Sequence, residues 1–473
     1  MSFESRVAPV DTYDVAVVGG GIVGCAIARE LAGYDLSVAV LEARDDVGDG
    51  TSKANTAILH TGFDAKPGTL ESRLVRRGHE LLGAYAEVTG IPVERTGALL
   101  VAWNDEELAA LPELKDKAER NGYQRCELIG PDEVYAQVPS LAAGARGGLT
   151  VPDESIICTW TTNLALATDA RRRGVEILLE HRVTGVDVGA DTTTLLTSSG
   201  DVTARWVVNA AGLGADYLDR AFGFDRFTVT PRRGELFVFD KLARTMVERI
   251  VLPVPSSRGK GVLVSPTIYG NVMLGPTAED LTDRADTGTS DDGFAFLRSK
   301  GEALMPDLLQ EEVTATYAGL RAAIDRDDYL IEATRQSRYL LVGGIRSTGL
   351  TAGMAIAEYV VAMLSDSGLV LAARSNLPDP PVMPNIGEVG VRPYADAERI
   401  ASDEAYGQLV CFCERVSAGE IRDACASTLP PRSLDGLRRR TRAMNGRCQG
   451  FYCGAAVRAM LAGKDSAEGD RHD

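Results

Sequence analysis

Two short, unbroken apolar runs stand near the start of the chain, Tyr13–Val18 (YDVAVV) and Leu36–Leu41 (LSVAVL), with a glycine turn and a helix-like stretch, Ile22–Ala32, between them. Runs this short with no polar alternation predict strands buried on both faces, and a helix between them makes those strands parallel. A polar Gly/Ser/Thr/Asn loop follows at 48–56, then a charged helical stretch over 69–88. The pattern changes over 90–150, where a strand (ALLVAW, 98–103) precedes a charged helix at 105–121; this resembles an insertion more than a continuation of the sheet. A helix over 161–173 and strands at 175–179 and 205–208 return to the first pattern. Residues 228–275 (GELFVFD, GVLVSPT, NVMLGP) predict a large antiparallel sheet. Leu340–Val342, a Gly-rich turn and a helix over 352–364 lead back to the first unit. The prolines of 366–405 (NLPDPPVMP) predict a linker, and 406–462 a compact terminal module.

Composition narrows the function classes. The chain has 473 residues, 45% of them apolar, enough for several real cores, yet no apolar run approaches the ~18 residues of a membrane span. No signal-peptide-like run precedes Tyr13, so the expectation is a soluble, cytoplasmic protein, at most held peripherally at the inner face of a membrane. A net charge of −17 argues against nucleic acid, whose phosphates it would repel. Five of the eight cysteines, Cys411, Cys413, Cys425, Cys448 and Cys453, fall in one C-terminal stretch. In a large chain of this kind such clustering points to a metal rather than to disulfides.

The first chemical motif is Gly19-Gly20-Gly21-Ile22-Val23-Gly24, with a strand before it and a helix after it. Gly19 permits the tight turn, Gly21 lets backbone approach a pyrophosphate, and Gly24 allows close helix–strand packing. The helix N-terminus supplies free N–H groups for the phosphates. Glu42 ends the second strand, where an acid can bond ribose hydroxyls. FAD is favoured over NAD by three later segments. Thr51, Ser52 and Asn55 supply small polar groups after the second strand. Ala211 and Gly212 end a buried strand in a small-residue turn. The turn carrying Gly344, Arg346, Gly349, Leu350 and Thr351 opens a helix that can aim N–H groups at a flavin.

Residues 13–365 resemble the FAD-dependent oxidoreductases of the D-amino-acid-oxidase superfamily, especially the L-2-hydroxyglutarate dehydrogenase group and the glycerol-3-phosphate dehydrogenases. The resemblance is most specific over Asn55–Asp64 (NTAILHTGFD) and Lys66–Leu70 (KPGTL), with Thr56-Ala57 where that group has Ser-Gly. Arg258–Gly261, Val264–Thr267, Leu274–Thr277 and Ala318–Arg321 (AGLR) add to it. It implies a Rossmann-like FAD-binding part (about 13–85, 150–225 and 335–365) and an antiparallel-sheet substrate part (about 86–149 and 226–334). Val183 joins the implied cofactor set. His60 is placed beside the flavin as the base for a substrate hydroxyl, Arg321 faces a substrate anion, and Lys260 is a second anion candidate. His79 and His181 read as structural or exposed.

The second motif is Cys411-Phe-Cys413 with Cys448-Gln-Gly-Phe-Tyr-Cys453, four thiolates able to close on one site; structural zinc and an iron–sulfur cluster both suit it. Cys425 reads as packing. Residues 410–453 resemble the [2Fe–2S] domain of bacterioferritin-associated ferredoxin and, more closely, the tail of the anaerobic glycerol-3-phosphate dehydrogenases, which implies a [2Fe–2S] cluster. The run Arg438–Arg440 with Arg442 suits offsetting cluster charge, contacting an acidic partner, or simply facing solvent. The combined resemblance implies a dehydrogenase oxidising a small anionic alcohol, sn-glycerol 3-phosphate first and L-2-hydroxyglutarate second. Its electrons would pass through the cluster to a quinone or a partner protein that accepts electrons, in a chain free to form oligomers. An amine or opine substrate, or a non-enzymatic redox sensor, are the remaining readings.

Overall fold

Strand β1 (Tyr13–Val18) is paired on both sides in parallel, with β2 (Val38–Leu41) and with the strand Val202–Asn209. Helix α1 (Ile22–Leu31) makes the crossover between β1 and β2. Val15, Ala16 and Val17 have no exposed surface, which is why these runs lack polar alternation. The computed structural model describes residues 12–255 and 261–469. Glu176–Leu178 continues this sheet beyond β2, and Tyr339–Gly343 runs parallel to the end of Val202–Asn209. Antiparallel edge strands bring it to eight. Small residues on α1 (Cys25, Ala26, Ala28) share one core with Ala352, Ala355 and Ile356 of the helix Gly349–Asp366, which closes the unit.

A nine-stranded sheet forms the second layer, built on the long antiparallel pair Thr230–Phe239 and Val313–Ala323. The stretch read as an insertion contributes to it. Ala98–Ala102 pairs with Ile250–Pro253, and Gly147–Val151 and Glu127–Ile129 follow. The pairing of Ala98–Ala102 with Ile250–Pro253 is parallel, an exception in an otherwise antiparallel sheet. The molecule is thus a mixed α/β fold of two large sheets and a small three-stranded one (Ile58–Leu59, Ser155–Ile157 and Val93–Glu94), with a small terminal module.

The proline-rich stretch after Asp366 is laid along the body as a strap rather than hanging free. Met383 N donates to Thr89 O (2.7 Å), Glu388 N to Ile268 O (2.8 Å), and Ile386 is 2% exposed in the main core. Proline bars the segment from sheet ladders, but single backbone bonds of this kind need no ladder.

The terminal module has a two-stranded hairpin, Leu409–Cys411 with Val416–Ser417, and helices Ala418–Cys425, Leu434–Thr441 and Gly454–Gly469. Ser417 and Glu420 form a reciprocal cap at the first helix. Val416, Ile421, Leu437, Ala443 and Val457 make its core. The arginine run turns inward. Arg439 Nη2 and Arg440 Nη1 each reach Asp46 at 2.7 Å, and Arg439 Nη1 reaches Asp49 at 2.6 Å. Arg442 is buried on Glu414 at 2.8 Å. Arg439, Arg440 and Arg442 are therefore neither a solvated face nor open to a partner: Arg439 and Arg440 hold the module against the loop after β2, and Arg442 packs over Tyr269.

Burial opposes the charge of Asp46, but the hydrogen bonds and charge of Arg440 and Arg439 outweigh it and hold the carboxyl below the ordinary range. A depressed carboxylate gives stability above its unfolded value of about 3.9 and loses it as pH falls through the lower folded value. Docking of the module should therefore persist from pH 8 down to about pH 4 and weaken only in stronger acid. Asp46→Ala leaves the buried Arg440 without a carboxylate and Arg439 with Asp49 alone, and should cost about 3 kcal/mol. Hydrogen exchange over Leu434–Thr441 checks both expectations.

Candidate active site and cluster module

Between the two sheets lies a cavity of about 910 Å³, partly open to solvent. Its floor is the β1–α1 turn. Gly19 has φ of +112°, and a Cβ there would meet Ala210 O at 2.4 Å. Gly24 does not line the cavity; a Cβ on it would strike Gly19 O at 1.9 Å, so its part is helix–strand approach. Gly21 does line it, and the N–H of Ile22 donates to Ser52 Oγ (2.9 Å), which orders the helix start.

Glu42 reaches the cavity from the end of β2, with Oε2 accepting from Gly20 N at 2.7 Å and Oε1 from Arg44 N at 2.9 Å. Burial raises its pKa. His181 and Val183 stand beside it on the wall. The histidine was expected to be structural or exposed, and no motif surrounds it to signal otherwise. On the opposite wall Thr51 Oγ1 donates to Leu320 O (2.8 Å), and Asn55 Nδ2 donates to Ser52 O (2.9 Å). Asn55 Oδ1 accepts from Ala57 N (2.7 Å), holding Ala57 at φ of +56°, where the resembled group has glycine.

Ala211, Gly212, Gly344, Arg346, Gly349 and Leu350 complete the wall. The helix Gly349–Asp366 begins at the cavity, so its first N–H groups face into it. Thr351 sits behind the wall, fully buried, accepting the backbone N–H of His60 at 3.0 Å. These features fit FAD: a glycine turn that no Cβ could share, a helix N-terminus, an acid at the end of β2 and a long cavity.

The substrate-side residues divide. Arg321 lines the cavity from Val313–Ala323, with Nη2 donating to Thr277 O (2.7 Å). Burial, then the charge of Arg232, lowers its pKa, and no carboxylate among the described residues forms an ion pair with it. His60 is not among the lining residues; it follows Ile58–Leu59, with its side chain 21% exposed and Nδ1 3.1 Å from Glu154 Oε2. Sequence reasoning missed Glu154. Lys260, with Arg258 and Gly259, lies outside the described residues.

In the terminal module the thiols of Cys411, Cys413, Cys448 and Cys453 associate in two pairs, Cys413 with Cys448 and Cys411 with Cys453. Among the described residues no three His, Cys, Asp or Glu side chains are set as a single-ion site. The N–H of Tyr452, with those of Gly450 and Phe451, pulls the Cys448 thiol down, while burial and the charge of Cys411 push Cys453 up to about 12. Four crowded sulfurs with N–H groups aimed at one of them suit the ligands of an iron–sulfur cluster. Cys425 is half-buried against the module core.

The model of the FAD dependent oxidoreductase family (DAO) matches residues 14–363. The chain belongs to that family. Residues 409–463 match the BFD-like [2Fe-2S] binding domain. The protein is therefore an FAD-dependent oxidoreductase with a C-terminal [2Fe–2S] domain. It is 34% identical over 452 residues to the glycerol 3-phosphate dehydrogenase of Caloramator mitchellensis, covering 95% of this chain and 94% of that one. It is 31% identical over 367 residues to the glycerol 3-phosphate oxidase of Mycoplasma pneumoniae, covering 75% and 95%. The L-2-hydroxyglutarate dehydrogenase of Escherichia coli K12 is 26% identical over 325 residues, covering 67% and 76%. Among solved structures, dithionite-reduced L-alpha-glycerophosphate oxidase from Mycoplasma pneumoniae with FAD bound superposes with a TM-score of 0.75 at 29% identity, covering 80% of this chain and all of that one. No described helix is long and apolar enough to cross a membrane.

Gly21→Val should lower flavin content at least ~10-fold in a folded protein, because a branched side chain intrudes where the pyrophosphate approaches; absorbance of the purified variant measures it. Cys448→Ser should abolish the broad iron–sulfur absorption and about two irons per chain while FAD stays bound. The module is docked by Arg439 and Arg440, not by its cysteines, and iron and flavin analysis on one sample separates the two effects.

Proposed function

We propose that the protein oxidises sn-glycerol 3-phosphate to dihydroxyacetone phosphate and delivers the electrons through its terminal module to a quinone or a partner protein that accepts electrons. The observation that carries this reading is coverage. The relative matched over 95% of the chain bears the name glycerol 3-phosphate dehydrogenase, whereas the oxidases match only three quarters of it. A chain that adds a [2Fe–2S] domain to an oxidase-like body has an outlet other than oxygen. FAD, when bound, supplies the two-electron acceptor, and the cluster the one-electron exit.

The chain's own residues then have distinct tasks. The Arg321 guanidinium, charged and facing the cavity, holds the phosphate through charge-assisted hydrogen bonds. His60 takes the hydroxyl proton as the carbinol hydrogen leaves with its electron pair. Lys260 is a second cation for the same anion. Gly19, Gly21, Glu42, Ser52 and the start of Gly349–Asp366 hold the dinucleotide. Cys411, Cys413, Cys448 and Cys453 hold the cluster. The same design would accept a carboxylate, so L-2-hydroxyglutarate is the second reading, supported by the Asn55–Asp64 segment.

Anaerobic bleaching of the flavin band decides between the substrates: rapid bleaching by glycerol 3-phosphate supports the first reading, bleaching by L-2-hydroxyglutarate alone supports the second, and bleaching by neither removes both. In stopped-flow reduction His60→Ala should slow the step at saturating substrate by ~10²-fold, since base removal acts on the transition state. Arg321→Ala should chiefly weaken binding, by about 2 kcal/mol or ~30-fold, because its contact exists before chemistry. A wild-type rate in His60→Ala would end the base assignment. Unchanged affinity in Arg321→Ala would move the anion site toward Lys260.

A further inference from the structure

Glu154 sits in the turn between the strands Gly147–Val151 and Ser155–Ile157, with its side chain 1% exposed. The pairing of Leu59 with Ser155 brings this turn against His60 and Thr61. The Glu154 carboxylate is fully committed there. Oε1 accepts from Thr61 N at 2.7 Å and from Thr61 Oγ1 at 2.9 Å, and Oε2 stands 3.1 Å from His60 Nδ1. An ionised carboxylate can only accept, so Nδ1 must be the nitrogen that carries hydrogen, which leaves Nε2 bare in the neutral ring. The neighbouring charges are engaged elsewhere: Asp153 accepts from Tyr123 and pairs with Arg125, and His79 meets the His60 carbonyl rather than its ring.

We propose that Glu154 is the positioning residue for His60: it fixes the Nδ1–H tautomer, aims Nε2 as the proton acceptor, and stabilises the imidazolium formed when the proton arrives. This rests on the reading of His60 as the base. In the step, the substrate O–H bond breaks, an Nε2–H bond forms, and the carbinol hydrogen leaves with its electron pair for the flavin. Glu154 is not part of the cavity lining; it acts through the ring. Burial gives the contact its weight, because a carboxylate shielded from water interacts more strongly with a forming cation.

The test uses FAD-loaded protein with 15N-labelled histidine. With only four histidines in the chain, His60→Ala assigns the ring signals of His60 directly. Wild-type His60 should show a protonated Nδ1 and a bare Nε2 at neutral pH. Glu154→Gln, with flavin content verified, should lose that single tautomer and slow flavin reduction at saturating glycerol 3-phosphate by ~10-fold or more, because the ring can then take up the unproductive tautomer. Its substrate affinity should stay within about twofold, because the binding groups are untouched. Thr61→Val removes one contact to the carboxylate but not its charge, and should keep both the tautomer and the rate. A wild-type ring protonated on Nε2 would overturn the proposal even if Glu154→Gln does not fold. So would a Glu154→Gln enzyme of normal rate, or a Thr61→Val enzyme equally impaired, which would make Glu154 a cap for the Thr61 turn. A normal rate in His60→Ala would instead remove the reading beneath the proposal, a result distinct from any tautomer change.

Discussion

A carboxylate removed from water must be met by cations and donors, and at Asp46 that requirement ties two modules together. The loop after β2 has to close over the β1–α1 turn, with Gly48 N on Gly20 O at 2.9 Å and Ser52 Oγ on Ile22 N at 2.9 Å. The same loop carries Asp46, 3% exposed, whose oxygens are filled by Arg439 and Arg440 from a helix nearly four hundred residues later in the chain. Ion pairs this buried barely repay their desolvation as stability, but leaving one side unpaired is expensive. They therefore specify the docked arrangement more than they strengthen it, and the geometry of the cofactor floor and the seating of the cluster module become one problem.

That docking also sets what lies between the two redox groups. Arg442 covers the Tyr269 ring at 4.1 Å, and Tyr269 stacks on Trp160 at 5.1 Å. Trp160 Nε1 donates to Lys53 O at 3.1 Å, next to Ser52 and Ala54 of the cavity wall. Glu414, one residue beyond Cys413, is the carboxylate that fixes Arg442. A continuous series of contacts thus runs from the cysteine loop to the cavity wall. On the proposed reading, a one-electron exit from a two-electron carrier needs the two groups held at fixed separation, which a free spacer at 366–405 would not provide.

The parts legible in the sequence were those governed by local rules. Buried parallel strands, the glycine turn, Glu42 at the end of β2 and the small-residue turn at Ala211–Gly212 each follow from short-range sterics and backbone hydrogen bonding, and each meets the same cavity. What sequence reading missed depends on long-range pairing. Nothing in the run Arg438–Arg442 reveals that Asp46 and Asp49 await it, so its burial was invisible. Glu154 lies in an ordinary acidic turn, and only the antiparallel pairing of Ile58–Leu59 with Ser155–Ile157 gives it a histidine. The strap after Asp366 was obscured for another reason: proline content shows that a segment cannot join a sheet, not whether it lies on a surface.

The charge balance of the cavity carries the substrate reading one step further. Most buried cations here are matched: Arg233 to Glu279, Arg392 to Glu420, Arg442 to Glu414. On the adjoining strand Arg232 is taken by Asp280 at 2.6 Å, and the register sets Arg321 directly opposite Arg232. Arg321 has one carbonyl as hydrogen-bond partner and a like charge opposite, only partly offset by the Asp280 carboxylate that pairs with Arg232; burial and that like charge lower its pKa without discharging a guanidinium at neutral pH. Such an arrangement costs stability in the empty protein, and an anion entering the cavity relieves both the burial and the repulsion. A neutral alcohol would relieve neither. On the proposed reading, selection of an anionic substrate therefore comes less from a contact added for it than from a charge the fold declines to neutralise.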